Sequence, residues 1–135
     1  MQCTKTIVLM VLLVSSPGLA LMAQTTSTGA ESDLPHALDA GWKGQKTCEL
    51  LFEDDTNRVG RCTFPPGVGH ERHFHNPHFG YVLAGGTLRI TDKEGEHEVT
   101  TKTGVNWSTE TVTVHEAINI GETTTSYLIV EPVKR

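Results

Sequence analysis

The chain has 135 residues, of which 37% are hydrophobic and 20% charged, and its formal net charge is −5. This composition fits one globular domain and excludes a disordered or low-complexity chain. The acidic balance argues against a nucleic-acid-binding protein, because the neutralisation of phosphates requires a basic surface. Histidine is the conspicuous residue type, since four of the seven histidines fall between residues 70 and 78.

The amino terminus is typical of a secretory signal peptide over residues 1–23. Lys5 precedes an unbroken apolar run over residues 7–14, and small residues follow before a polar segment begins at Gln24. The apolar run is shorter than the roughly 18 residues that a membrane span needs. We therefore expect cleavage near Ala23, a periplasmic or secreted protein, and no membrane attachment after cleavage.

The mature chain is predicted to be one all-β domain over residues 34–135, preceded by a flexible polar tail over residues 24–33. From Lys46 onward, short β-type runs alternate with turn-forming residues, and no long segment has the period of a helix. Predicted strands cover residues 46–52, 58–64, 73–75, 79–84, 87–91, 96–100, 105–107, 111–115, 117–120 and 126–131. Many short strands at this spacing are typical of a sandwich or a barrel.

Cys48 and Cys62 lie in the first two predicted strands, on either side of the turn-forming segment 53–57. A hairpin centred near Asp55 places the two cysteines opposite each other, within reach of a disulfide bond. An oxidising compartment favours this bond over two unlinked thiols. The bond would stabilise the fold by roughly 3 kcal/mol in the chain-entropy model.

The histidine cluster has the spacing of a metal site. His73 and His75 are two residues apart on a predicted strand, so their side chains project to the same face. His78 begins the next strand and can face back toward them, and His115 lies on a later alternating strand. Neutral imidazole is a good ligand for Fe, Ni, Cu and Zn, so these residues predict one bound divalent transition metal. A histidine-rich surface without metal is the alternative interpretation.

The other candidate residues are expected to have ordinary roles. The remaining histidines are not expected to be ligands. His70 is expected on the solvent-exposed rim of the site and His97 in a solvated hairpin. His36 lies in a short lead-in segment over residues 34–42 and is expected to have no partner. Charged loop residues are expected to be solvated, namely Glu71 and Arg72. Three aromatic residues are expected to pack rather than bind ligand: Tyr81, Trp107 and Tyr127.

Residues 65–85 resemble the first motif of the cupin superfamily, in which a Pro/Gly-led segment and H-x-H precede an acidic ligand and a Tyr-Val-Leu strand that ends in glycine. Residues 104–119 resemble the second motif, which ends in H-x-x-x-N, here His115 to Asn119. Two separate motifs in the right order are more specific than either motif alone. The resemblance implies a single jelly-roll β-barrel that spans most of the mature chain.

The resemblance implies that three histidines are metal ligands: His73, His75 and His115. His78 stands where the family has its glutamate, so the site departs from the common three-histidine, one-carboxylate set. The loop before His115 also lacks the family's Pro-x-Gly turn. Glu116 is a further candidate for an acidic ligand, although strand alternation turns it away from the face of His115.

The resemblance implies a metal-dependent enzyme that acts on a small organic molecule as a dioxygenase, an isomerase or a lyase. The fold does not choose among these reactions. Two alternatives stay open: a non-catalytic module that captures a small acid or sugar, and a protein whose histidines only hold a metal. The resemblance also implies a homodimer. The metal could be Fe, Mn, Ni, Cu or Zn.

Overall fold

The computed structural model describes residues 33–133. The predicted signal peptide and all of the predicted tail except Asp33 lie outside these residues. No helix among the described residues has the length and apolar character that crossing a membrane requires.

The described residues form strands and turns, as the alternating β-type runs predict. In chain order the strands are β1 (Gly41–Trp42), β2 (Gln45–Lys46), β3 (Cys48–Glu53), β4 (Asn57–Phe64), β5 (Gly69–His75), β6 (His78–Ala84), β7 (Gly86–Asp92), β8 (Gly95–Thr101), β9 (Asn106–Thr109), β10 (Thr113–Asn119) and β11 (Thr125–Pro132). Most predicted strands therefore lie within two or three residues of observed ones. The predicted strands 111–115 and 117–120 correspond to a single strand, β10.

Two antiparallel sheets form the jelly roll, with strand orders β5-β10-β7-β8 and β3-β4-β11-β6-β9. β10 lies between β5 and β7, and β11 lies between β4 and β6. Both late strands are therefore inserted between strands that come earlier in the chain. This topology brings residues near position 115 and position 130 next to the histidine cluster near position 75.

The core lies between the sheets and contains the predicted disulfide. Cys48 and Cys62 are directly opposite each other in the β3–β4 pair and are bonded to each other. Phe64, Tyr127 and Ile129 pack in the same cluster, as expected for Tyr127. Tyr81 is an exception to the predicted packing, because it points out of β6 and is 37% exposed.

β5 contains a β-bulge that changes which histidines face inward. His73 lies opposite His115 and His70 lies opposite Ala117, so three steps along β5 face two steps along β10. Glu71 and Arg72 are consequently both exposed, and His70 returns to the buried side together with His73. An extra residue of this kind interrupts the alternation on which sequence-based prediction of a strand's faces depends.

Candidate metal centre

The predicted ligands come from three neighbouring strands of the two sheets. His73 and His75 lie on β5, His78 begins β6, and His115 lies on β10. His115 sits directly opposite His73 in the β5–β10 pair, even though the loop before it lacks the family's turn. His73, His75 and His78 are buried and His115 is half-buried.

The structure brings these four histidines together in two overlapping groups. Ligand atoms of His73, His75 and His115 all lie within 4.8 Å of one another. Ligand atoms of His75, His78 and Glu131 form a second group at the same separation. His75 belongs to both groups, with ring centroids 4.8 Å from His73 and 4.7 Å from His78.

Backbone carbonyls fix the tautomers of two of the histidines. Nδ1 of His73 lies 2.6 Å from the carbonyl oxygen of Glu71, and Nδ1 of His78 lies 2.8 Å from that of Asn76. A carbonyl oxygen only accepts hydrogen bonds, so in each ring Nδ1 carries the proton. In this Nδ1–H tautomer the lone pair of Nε2 is available to bind a metal.

The distance between the Nε2 atoms of His73 and His75 shows whether both could bind one metal ion. Their Nε2 atoms are 2.9 Å apart. Nδ1 of His73 carries that ring's proton, so without a metal its Nε2 can accept a hydrogen bond from Nε2 of His75. With an ion bound, both Nε2 atoms must offer lone pairs, and the proton of His75 would lie on Nδ1, which faces a carboxylate oxygen of Glu131 at 3.6 Å. If two imidazole nitrogens bind one ion at metal–nitrogen distances of 2.0–2.1 Å and the angle between the two bonds is 90°, the nitrogens are about 3 Å apart. The observed 2.9 Å between the Nε2 atoms matches this separation, so the donor set fits a metal.

Burial keeps the clustered imidazoles neutral. It lowers the pKa of His73, and the neighbouring His70, His75 and His115 lower it further. Burial and the nearby imidazoles also lower the pKa of His115, to about 3. Neutral imidazole is the ligand form, so these rings can bind a metal at neutral pH without first releasing protons.

His78 differs from the other three in its surroundings. Its Nε2 accepts a hydrogen bond of 3.3 Å from the indole Nε1 of Trp107. Gly80 lies opposite Trp107 in the β6–β9 pair, and a Cβ at this glycine would collide with the indole ring. Trp107 therefore has a role beyond the packing predicted for it, because it engages the nitrogen with which His78 would bind a metal.

A cavity of about 660 Å³ opens beside these histidines. His75, His78 and His115 line it together with apolar side chains that include Val82, Leu88, Ile90 and Ile129. Lys93 and His97 line it near the β7–β8 turn, and both side chains are exposed, as predicted for His97. A cavity of this volume with a few convergent polar groups is typical of a small-molecule site.

Comparison with known proteins supports the resemblance seen in the sequence. A family model described as a cupin domain matches residues 60–131, more than half of the chain. This chain belongs to the cupin family. Among curated protein sequences, no significant match to it was found.

Solved structures share the fold at low sequence identity. A cupin domain from Bordetella pertussis is 20% identical with a TM-score of 0.61, over 64% of this chain and 92% of its own. A polyketide cyclase from Streptomyces resistomycificus is 20% identical with a TM-score of 0.55, over 78% of each chain. A predicted oxalate decarboxylase from Thermotoga maritima is also 20% identical, with a TM-score of 0.52, over 77% of this chain and 96% of its own.

His70 does not lie on the rim of the cupin site, contrary to the prediction from sequence. It is completely buried, and its Nε2 lies 3.7 Å from Sγ of Cys48. Desolvation, with a contribution from His75, lowers its pKa to about 4. The bulge in β5 is the reason for the error, because it turns this residue inward. Cys48 is already bonded to Cys62, so His70 faces a disulfide and not a pair of free thiolates.

Two further residues of the cupin site were missed by sequence reasoning. Glu131 on β11 is 1% exposed and was seen only as the end of a strand. His36 was expected to lack a partner, but it is buried, and its Nε2 lies 2.7 Å from Oε2 of Glu131. No local pattern links these residues, which are 95 positions apart. Glu116, the acidic candidate from the sequence, belongs to none of the metal-type clusters among the described residues.

Proposed function

We propose that this cupin binds one divalent transition metal through His73, His75 and His115, with His78 as the remaining ligand candidate. We further propose that it acts as an enzyme on a small, uncharged and largely apolar organic molecule. The observation that carries the proposal is that buried, neutral imidazoles border an apolar cavity of about 660 Å³. When bound, the metal would supply Lewis-acid or O₂-binding chemistry.

The charged residues of the cavity argue against an anionic substrate, since Asp92, Lys93 and Glu94 line it together near the β7–β8 turn. Lys93 is the one Lys or Arg among the described residues that line it, and this side chain is exposed at the β7–β8 turn. The lining histidines His75 and His115 are neutral because burial lowers the pKa of each. An anionic substrate would therefore find no countercharge inside except the metal. A very small dicarboxylate would also leave most of the apolar volume unfilled.

The protein's own residues would exclude water and orient the substrate. A substrate bound against the apolar part of the wall would displace water from the site, which would strengthen electrostatic interactions within it. Tyr127 lines the cavity, and burial raises the pKa of its hydroxyl, so that group stays protonated at neutral pH. A protonated hydroxyl can donate a hydrogen bond to a carbonyl or phenolic oxygen of a substrate.

Metal content is the first test of this proposal. Purified mature protein should carry about one equivalent of Fe, Mn, Ni, Cu or Zn by elemental analysis, and His73→Ala should lose it. His97→Ala removes an exposed histidine near the mouth of the same cavity and should retain the metal. Metal-free wild-type protein under all expression conditions, even after reconstitution, would contradict the proposal.

Turnover decides between an enzyme and the alternative, a non-catalytic module that holds a small ligand or a metal. The loaded protein should consume or convert uncharged diketones or phenols and should ignore dicarboxylates of similar size. O₂ uptake would indicate a dioxygenase, whereas product formation without O₂ would indicate an isomerase or a lyase. Tight retention of such a molecule without turnover would favour the binding module.

We also propose that the protein is exported after cleavage near Ala23. The Cys48–Cys62 disulfide supports export, because disulfides form and persist in oxidising compartments. Amino-terminal sequencing of protein from the periplasm or the medium should find a chain that begins near residue 24. Light scattering of the same sample would test the expected homodimer.

A further inference from the structure

Glu131 is a buried carboxylate enclosed by two histidines. One oxygen, Oε2, lies 2.7 Å from Nε2 of His36, and the other, Oε1, lies 3.6 Å from Nδ1 of His75. An ionised carboxylate this deeply buried is costly unless its partners compensate for the lost water. Glu131 lies on β11, outside both sequence motifs, so the family resemblance assigns it no role.

The geometry of the His75 ring decides what Glu131 can do. Nε2 of His75 points toward Nε2 of His73, where the proposed metal would bind. Nδ1 is the other ring nitrogen, and its bonding direction diverges from that of Nε2. Glu131 therefore lies behind His75 as seen from the metal, and it cannot bind the same ion while His75 does so through Nε2.

Oε1 of Glu131 and Nδ1 of His75 depend on each other for their polar environment. Both atoms are buried, and neither has a hydrogen-bond partner among the described residues. A carboxylate oxygen has only lone pairs to offer, so it favours the state of His75 that carries its proton on Nδ1, which is the state that metal binding through Nε2 requires. The 3.6 Å separation is longer than a hydrogen bond but short for a charge acting on an N–H dipole in a buried site.

His36 fixes the other side of the carboxylate, and the lead-in segment fixes His36. The backbone N–H of Phe74 donates to the carbonyl of Pro35 at 3.0 Å, and the N–H of Ala37 donates to the carbonyl of Phe74 at 2.9 Å. The lead-in therefore runs along β5 and holds His36 against the residue between the two H-x-H histidines. This segment precedes residue 60, where the cupin-domain match begins.

We propose that Glu131 is a positioning residue that selects the Nδ1–H tautomer of His75, and that His36 holds the Glu131 carboxylate in place for this task. His75 then presents an unprotonated Nε2 toward His73. The inference rests on the proposed metal site for its purpose. The tautomer preference can be measured in the metal-free protein, where donation from Nε2 of His75 to Nε2 of His73 competes with it.

Nitrogen NMR of ¹⁵N-histidine-labelled, metal-free wild-type protein tests the first half of the proposal. At neutral pH, the Nδ1–H form of His75 should be more populated in wild-type protein than in Glu131→Gln. Glu122→Gln is the matched control, because it removes an exposed carboxylate from a loop and should leave the spectrum unchanged. An equal Nδ1–H population in wild-type protein and in Glu131→Gln would overturn the proposal.

Zn²⁺ affinity, measured by competition with a chelator, tests the second half. Loss of a carboxylate behind a metal-binding histidine typically weakens metal binding 10- to 100-fold, and we expect a loss of this size for Glu131→Gln. His36→Leu should weaken binding about tenfold. His36→Gln, which can still donate a hydrogen bond to Glu131, should retain most of the affinity. Wild-type affinity in both Glu131→Gln and His36→Leu would overturn the proposal.

These outcomes separate this inference from the proposed function. If wild-type protein binds no Zn²⁺, the metal proposal fails, and the His75 tautomer in the metal-free protein still decides the role of Glu131. If Glu131→Gln fails to fold, as judged from its backbone spectrum, the Zn²⁺ affinities of the two His36 variants decide it.

Discussion

The imidazole ring of His70 lies against that of His73, with ring centroids 3.8 Å apart and planes tilted by 33°. On its other side, His70 contacts Sγ of Cys48. His73, a candidate metal ligand, therefore packs against the fully buried His70, which in turn packs against the core disulfide. His70 acts as a packing residue between the core and the site.

His70→Ala should destabilise the protein by about 2 kcal/mol or more, because it leaves a cavity in a close-packed interior. Urea unfolding followed by tryptophan fluorescence would measure the change. His97→Ala removes an exposed histidine and should change the free energy of unfolding by no more than about 0.5 kcal/mol. If His70→Ala were as stable as His97→Ala, His70 would be a rim residue after all.

Loss of the disulfide should cost about 3 kcal/mol of stability, since the bond joins residues separated by 14 positions. The double variant Cys48→Ala/Cys62→Ala and reduced wild-type protein should show similar decreases in urea midpoint. The reductant should leave the double variant unchanged, which controls for effects on other groups. A reductant-insensitive wild-type protein would show that the bond does not contribute.

Acid should destabilise the metal-free protein. The pKa of His70 is lowered to about 4 and that of His115 to about 3, from an ordinary value of 6.5. The unfolded chain therefore binds more protons between these values, so stability is fully present above about pH 6.5 and falls as the pH drops. Each such histidine contributes about 1.4 kcal/mol per pH unit over its range.

Glu131 should add to this acid sensitivity at lower pH. Burial alone would raise its pKa, but the hydrogen bond from His36 and the nearby imidazole of His75 outweigh burial and lower the pKa to about 2. Its stabilising contribution is present above the ordinary value of 4.5 and is lost as the pH falls toward 2.

Urea midpoints measured in the presence of a chelator should be flat above pH 7 and fall steadily from pH 6.5 to pH 4. A constant midpoint over that lower range would contradict the buried, neutral histidines.

Metal binding should stabilise the fold by mass action. At a free Zn²⁺ concentration 100 times the Kd, the gain is about 2.7 kcal/mol, and a domain of this size should melt roughly 10 °C higher. Thermal denaturation with Zn²⁺ and with chelator would measure the shift, and His73→Ala should abolish it. An equal shift in His73→Ala would place the metal elsewhere.

Local sequence patterns predicted the features that depend on neighbouring residues. Alternation along a strand put His73 and His75 on one face, and the turn-forming segment 53–57 aligned Cys48 with Cys62. These predictions succeed because side-chain direction in a strand and the chemistry of a short turn are set within a few residues. The jelly-roll fold, in contrast, was implied by the resemblance of the two histidine motifs to the cupin superfamily, whereas the strand pattern alone indicated a sandwich or a barrel.

The sequence could not place residues that meet only through the sheet topology. The bulge in β5 depends on its pairing with β10, so alternation alone misplaced His70. β11 is inserted between β4 and β6, and this brings Glu131 behind His75. It also brings Glu131 against His36, which precedes it by 95 positions in the sequence.

The sequence by itself thus determined an all-β chain whose histidine cluster has metal-ligand spacing. Only the tertiary structure decided which buried groups surround those histidines. The physical reason is that a buried polar atom finds its partner by proximity in the folded protein, and strands far apart in the chain supply that proximity.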